Sequence, residues 1–214
     1  MIKKCFLTFK NTIFQHIGSK MKPGSLKFFM DISFAFFEKI AFKFEIISSI
    51  YLDIYEEMVE KELSMIKTSK EHLILVVGSG TLSATPILIA RKTNAKITAI
   101  DTDEKAVKES IKYIKSLNLE DRINIIQGDG VDYCLKDFDI IFVLYGIRKQ
   151  KEMIDNLSKN IKKSTEVIFR TVLKDGKAKI DDKYLDLSKY FLIKKNVQSQ
   201  CFGIVDSLLL KKKQ

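Results

Sequence analysis

Leu73-Ile74-Leu75-Val76-Val77-Gly78-Ser79-Gly80-Thr81-Leu82-Ser83 is the stretch on which the fold turns. Five apolar residues in a row, followed by glycines, read as a strand buried on both faces, as a parallel sheet requires. Gly78 and Gly80 then allow a tight turn and let a ligand approach the backbone closely. Ser83 to Asn94 reads as a helix, and Pro86 is tolerable there because it falls in the first turn. Ser83 stands where a dinucleotide fingerprint has its third glycine. That disfavours NAD and leaves a looser nucleoside-binding loop.

The alternation continues toward the C-terminus. Lys96–Ile100, Arg122–Gln127, Phe138–Leu144 and Glu166–Thr171 read as strands. Asp103–Leu117, with Val107, Ile111 and Ile114 on one face, and Lys149–Ile161 read as helices. This rhythm means a parallel sheet with right-handed crossovers. Phe191–Lys195 and Ile204–Leu210 follow with no helix between them, and are expected to pair antiparallel at the sheet edge. Residues 71–214 thus form an α/β domain.

Residues 1–70 read as a helical segment, broken at Gly18 to Ser25. Beyond the break, Phe28, Phe29, Ile32, Phe36, Ile40, Phe44 and Ile47 recur at helical steps, and Tyr51, Ile54, Tyr55, Met58 and Leu63 continue the stripe. The stripe must be buried on the following domain or on a partner subunit, which would make a homodimer through the Phe-rich helices. An interfacial membrane helix with Lys20, Lys22, Lys27, Lys39 and Lys43 at the headgroups is the lesser reading.

Composition narrows the classes. The 214 residues are 46% hydrophobic and 30% charged, enough for a packed core and incompatible with wholesale disorder. The net charge of +10 is concentrated in the last third. Lysines solvating helix faces are favoured there over a nucleic-acid patch. Cys5, Cys134 and Cys201 are odd in number and far apart, and the histidines are His16 and His72 alone. This argues against a disulfide framework or a metal site and for a reducing, cytoplasmic setting. Phe28 to Ile50, the most lipid-like stretch, is interrupted by Asp31, Glu38, Lys39, Lys43 and Glu45, so no membrane span is expected. The start, Met1 to Lys10, has no small-residue cleavage site, so no secretory signal is expected.

In an open α/β sheet, ligands bind at the carboxyl ends of the strands. Four loops qualify. The first holds Gly78, Ser79 and Gly80. The second begins at Asp101, about 20 residues past the glycines, where a carboxylate meets ribose hydroxyls; Asp103 is the better helix N-cap. The third is Gly128-Asp129-Gly130, whose Asp129 could accept a hydrogen bond from an adenine amino group or simply close a turn. The fourth is Leu144-Tyr145-Gly146, where the reacting end of a cofactor would sit.

Taken in order, these features resemble a class I S-adenosylmethionine-dependent transferase over residues 70–214. The resemblance implies a Rossmann-like, seven-stranded sheet with antiparallel last strands, here preceded by an α-helical segment. It implies S-adenosylmethionine as co-substrate, with Gly78, Ser79 and Gly80 beside the methionine moiety, Asp101 on the ribose, Gly128 and Asp129 at the adenine, and Leu144 nearby. Within that fold, Gly78-Ser79-Gly80-Thr81-Leu82-Ser83-Ala84-Thr85 is similar to the Gly-Ser-Gly-Pro-Leu-Pro-Leu-Thr loop of nicotianamine synthases. Phe138–Val143 and Thr165–Thr171 resemble that family's fourth and fifth strands, and Tyr55 and Glu62 match a family Tyr and Glu at the same separation. Thr81 and Ser83 stand in place of two family prolines.

The resemblance implies transfer of the 3-amino-3-carboxypropyl group to a small amine or amino acid, with Tyr55, Glu62 and Tyr145 as catalytic candidates. Arg170 is a further candidate that could pair an amino-acid carboxylate. Two other readings stay open: a methyltransferase acting on a small molecule or RNA, and a non-catalytic interaction module.

Overall fold

The computed structural model describes residues 45–201 and 203–213. The break at Gly18–Ser25, the Phe28–Phe44 stripe, its candidate membrane lysines and the dimer expected through it lie outside the described residues. Helix α1 (Glu45–Leu63) lies within the segment expected to be helical. Among the described residues, no helix is long and apolar enough to cross a membrane.

Seven strands form one sheet in the order β3-β2-β1-β4-β5-β10-β9. They are β1 (Leu73–Val77), β2 (Lys96–Asp101), β3 (Ile123–Gln127), β4 (Ile140–Val143), β5 (Glu166–Thr171), β9 (Phe191–Gln200) and β10 (Ile204–Lys212). The first five are parallel, and β10 lies antiparallel between β5 and β9. Helices α2 (Ala84–Lys92), α3 (Glu104–Ser116) and α4 (Gln150–Asn160) make three of the four crossovers between the parallel strands, and residues 128–139 join β3 to β4 without a helix.

The expected antiparallel pair is therefore present, but β10 is its inner member. β9 runs five residues beyond the expected end at Lys195. Its second half, Asn196 to Gln200, is polar edge strand with no apolar run to signal it. One region departs from expectation altogether. Residues 172–185, whose sequence pattern signals no element, form a small antiparallel sheet of β6 (Leu173–Lys174), β7 (Lys177–Ile180) and β8 (Lys183–Leu185). The register Lys174↔Lys177 leaves Asp175-Gly176 as a two-residue turn, both at positive φ. That is the Asp-Gly signature of a hairpin.

Both sheet faces are covered. On one, Ile74, Val76, Phe142 and Ile168 pack with α1 (Leu52, Met58, Val59), α2 (Ile87, Leu88) and α3 (Val107, Ile114). On the other, Leu75, Val77, Ile141 and Phe169 pack with α4 (Met153, Ile154, Leu157) and the small sheet (Ala178, Ile180). Phe142 and Phe169 are fully buried, and each such side chain stabilises the fold by about 1.5–3 kcal/mol relative to exposure. α1 thus shares one core with the sheet. Lys92, on α2, ties the two helices at the surface through Glu56 and Glu60, at 2.9 and 2.6 Å.

Candidate active site

The glycine loop is folded by its own backbone. Gly78 (φ 83°) and Gly80 (φ 66°) occupy the left-handed region that side chains disfavour. A Cβ on Gly78 would also lie 2.6 Å from Ile147 Cγ2, so the β1 loop and the β4 loop meet there without room for a methyl group. The Gly78 and Ser79 N–H groups both donate to Ile100 O, at 2.9 and 3.1 Å. This draws the loop over the end of β2.

Asp101 closes the arrangement. Its Oδ2 accepts the Gly80 N–H at 2.8 Å, and its Oδ1 accepts the Asp103 N–H at 3.0 Å. The carboxylate lies against the glycine loop and keeps lone pairs for a ligand. Asp103, as expected, caps α3: its Oδ1 accepts from Lys105 N at 2.8 Å and Ala106 N at 3.4 Å.

Ser79 adds a feature that residue spacing did not supply. Its Oγ is buried and, among the described residues, has no hydrogen-bond partner. A buried hydroxyl left unbonded costs free energy, so the loop holds an unsatisfied polar group that a ligand or a water would complete. Ser83 explains a departure from the nicotianamine synthase loop. It sits at φ 45°, which proline cannot adopt, and its Oγ bonds Ser110 Oγ beneath α3.

The third loop stands beside the second. Gly128 N donates to Asp101 O at 2.9 Å. Asp129 Oδ1 accepts from Val131 N at 3.0 Å, and Lys149 Nζ lies 3.5 Å from its Oδ2. Asp129 therefore closes its own turn while its second oxygen points toward the β4–α4 connection. Gly130 is demanded by packing, since a Cβ there would lie 2.5 Å from Val77 Cγ1. Leu144 is buried, its N–H donating to Val77 O at 3.1 Å, and Tyr145 is half-buried beside it.

Glu62 is placed differently from the expected catalytic role. It is 0% exposed, and both its oxygens are taken. Arg170 Nε and Nη2 donate to Oε1 and Oε2, each at 2.7 Å, and Ser207 Oγ donates to Oε1 at 2.6 Å. Burial opposes the Arg170 charge, but the Glu62 carboxylate outweighs it, so the guanidinium titrates above its ordinary range. Glu62 is thus the counter-ion of a buried bidentate pair. Tyr55 lies within electrostatic range of Arg170, and its hydroxyl is 3.2 Å from that of Tyr51.

The register sets these groups in one row. Val76 pairs Phe142, Phe142 pairs Ile168, and Arg170 pairs Ser207. One step further along the strands, Gly78, Leu144, Arg170 and Ser207 line up at the carboxyl rim, on the α1 side. The structure brings Gly78, Ser79, Gly80, Asp101, Gly128, Asp129, Leu144 and Tyr145 to the same edge of the sheet, with Tyr55 and Glu62 on the helix covering it.

Comparison with known proteins points the same way. The spermine/spermidine synthase domain model matches residues 52–145, from α1 to the end of the β4 loop. The nicotianamine synthase MtNAS, crystallised with MTA and tNA, is 19% identical, with a TM-score of 0.69 over 86% of this chain and 70% of that one. A glutamate-to-glutamine variant of MtNAS bound to S-adenosylmethionine matches over 97% of this chain and 78% of that one, at 19% identity and TM-score 0.66. An RNA methyltransferase from Salinibacter ruber, solved with S-adenosyl-L-homocysteine, is 18% identical, with a TM-score of 0.57 over 74% of this chain and 92% of that one. Among curated proteins, chloroplastic ATP synthase subunit b of Euglena gracilis is 28% identical over 116 residues, half of this chain; the chain covers 58% of that protein's length.

The fold is that of the class I S-adenosylmethionine-dependent transferases. Within it, residues 52–145 are similar to the spermine/spermidine synthase domain.

Proposed function

We propose that this chain is a transferase that moves the 3-amino-3-carboxypropyl group of S-adenosylmethionine to a small amine or amino acid, in the manner of nicotianamine synthases. The observation that carries the reading is the glycine loop closed on Asp101, with the buried, partnerless Ser79 hydroxyl inside it. Those groups fit an adenosyl sulfonium. Asp101 would hold the ribose hydroxyls, Gly128 and Asp129 the adenine, and Gly78, Ser79, Gly80 and Leu144 the methionine end.

The co-substrate supplies carbons activated by a positively charged sulfur. The acceptor amine forms an N–C bond to Cγ, and the Cγ–S bond breaks with its electron pair going to sulfur. Methylthioadenosine leaves, and the amine sheds a proton. The protein selects Cγ over the methyl group by orientation, since the nucleophile must sit within about 3–3.5 Å of one carbon. The amine must arrive neutral, so a proton acceptor belongs nearby. Tyr55 and Tyr145 are the candidates, because Glu62 is committed to Arg170 and Ser207. In this reading helix α1, which carries Tyr55 and Glu62, covers the site of the 71–214 domain. The likeness to MtNAS spans 97% of the chain, whereas that to the Salinibacter ruber methyltransferase spans 74%. The exposed Cys134 thiol suits a reducing, cytoplasmic setting.

Methyl transfer to a small molecule or RNA is the second reading, favoured by the likeness to the Salinibacter ruber RNA methyltransferase and by the basic last third of the chain. One incubation separates the two. With S-adenosylmethionine and candidate acceptors, the nucleoside product is methylthioadenosine for aminocarboxypropyl transfer and S-adenosylhomocysteine for methyl transfer.

A further inference from the structure

Helix α4 begins without a cap of its own. The residue before it, Lys149, sits at φ 55° and gives the helix no side-chain hydrogen bond. The orphan N–H groups of the first turn are met from the small sheet instead. The β7–β8 register pairs Ile180 with Lys183 and leaves Asp181-Asp182 as a two-residue turn. Asp181 Oδ1 accepts the Gln150 N–H at 3.2 Å, and Oδ2 accepts the Lys151 N–H at 3.4 Å. Gln150, which is buried, returns the bond: its Oε1 accepts the Asp181 N–H at 2.8 Å. The carboxylate also lies at the positive end of the helix dipole. The result is a reciprocal cap between residues 31 apart in the chain.

Both sides of this clamp are strained. Lys149 (φ 55°) and Asp181 (φ 52°) are non-glycine residues in the left-handed region, which persist only where their surroundings fix them. The other tie of Lys149, to Asp129 at 3.5 Å, is exposed and contributes little. The small sheet is rooted at the carboxyl rim: the Leu173 N–H donates to Asp206 Oδ2 at 2.8 Å, and Thr171 Oγ1 donates to Lys179 O at 2.9 Å. What the clamp controls is the β4 connection, residues 144–149. Its near end is tied where the Leu144 N–H donates to Val77 O. A Cβ on Gly146 would meet nothing within 4 Å, so the connection borders open space beside Tyr145. Deeper in α4, Asn156 Nδ2 donates to Gly130 O at 2.9 Å, and Met153, Ile154 and Leu157 are fully buried. Loss of the cap therefore frees the connection and leaves the body of the helix and the Gly128–Gly130 loop in place.

Resting on the transferase reading above, we propose that the small sheet is a brace for the acceptor side of the site, and that Asp181 is its positioning residue. By capping α4 it fixes the β4 connection, and with it the place of Tyr145 relative to the bound donor. The adenosine side is built by other bonds, those of the glycine loop, Asp101 and Gly128. The brace thus governs transfer, not donor binding.

Two variants of the full chain test this. Asp181→Gly removes the carboxylate and keeps the left-handed backbone; Asp181→Asn keeps one acceptor oxygen and tolerates the same φ. S-adenosylmethionine affinity is measured by calorimetry. Turnover is measured as nucleoside released with the standard amino acids and ethylenediamine as acceptors, and local order by amide hydrogen exchange. Asp181→Gly is expected to lower turnover by about tenfold or more and to keep S-adenosylmethionine affinity within about twofold. Exchange is expected to speed up about tenfold or more at residues 145–151 and to stay unchanged at Gly78, Gly80 and Gly128. Asp181→Asn is expected to restore most of the turnover. Unchanged turnover in Asp181→Gly, or a parallel loss of turnover and S-adenosylmethionine binding, overturns the assignment. If the unmodified protein binds the donor but uses none of these acceptors, exchange decides: unchanged protection at 145–151 in Asp181→Gly overturns the brace, and faster exchange there alone upholds it. If the unmodified protein binds no S-adenosylmethionine, the transferase reading fails and the acceptor role falls with it, while exchange still shows whether the clamp holds the connection.

Discussion

Glu62→Gln is the perturbation whose consequence follows most directly from the structure. The substitution keeps the volume and replaces one charged oxygen by an amide that donates where Arg170 also donates. Glu62 is 0% exposed and Arg170 is 2% exposed, so water cannot take over the lost contacts. One 2.7 Å bond is lost, the 2.7 and 2.6 Å bonds to the remaining oxygen lose their charge assistance, and a buried guanidinium is left without a counter-charge. Breaking a buried pair from one side costs about 3–5 kcal/mol. Against a total stability of about 5–15 kcal/mol, that is a large fraction. For a chain of this size it corresponds to a fall in Tm of roughly 6–20 °C. Replacing both partners, as Glu62→Met with Arg170→Met, removes the charges together and is expected to recover most of the loss. Urea denaturation followed by circular dichroism measures all three proteins. A loss below about 1 kcal/mol for Glu62→Gln, or a double variant no more stable than the single, would refute the claim that the pair is buried and mutually compensating.

The remaining predictions concern the loops and the helix clamp. Asp101→Ala is expected to weaken S-adenosylmethionine binding by about 1–3 kcal/mol, because charge-assisted bonds to the ribose and the anchor of Gly80 are lost together; calorimetry reads it. Ser83→Pro, which installs the residue of the nicotianamine synthase loop, is expected to destabilise the fold by about 3 kcal/mol or more, since φ 45° is closed to proline; an unchanged melting curve contradicts this. Gly130→Ala forces a methyl group to within 2.5 Å of Val77 Cγ1, and overpacking of about 1–3 kcal/mol is expected in denaturant titration. The Glu60 and Glu56 carboxylates hold Lys92 above its ordinary range, so its contribution is complete below the ordinary lysine value and is lost as pH rises through the raised one. Lys92→Met is therefore expected to cost on the order of 0.5 kcal/mol at neutral pH, with the difference from the unmodified protein vanishing in strong alkali.

What was legible in the sequence follows from how local each signal is. β1 and β5 fall at their expected bounds, because the apolar runs Leu73–Val77 and Val167–Phe169 belong to strands buried on both faces. Helix ends shifted by a residue or two, as capping residues were counted inside. The meander at 173–185 was missed because its strands are two to four residues long and rich in lysine, leaving Asp175-Gly176 as the readable mark. Asp101 and the glycines were legible because one strand–turn unit sets their spacing. The Glu62–Arg170–Ser207 cluster was not, because its members are 108 and 145 residues apart in sequence and only the β5–β10 register and the packing of α1 unite them. The orphaned Ser79 hydroxyl is likewise a fact of packing.

The account rests on an adenosyl sulfonium occupying the notch between the glycine loop and Asp101. Direct titration of the full chain with S-adenosylmethionine tests this, monitored by the amide resonances of Gly78, Ser79, Gly80 and Gly128. The account predicts saturable, one-to-one binding with the largest shifts at those four amides. No saturation at millimolar ligand, or shifts centred elsewhere, would contradict it.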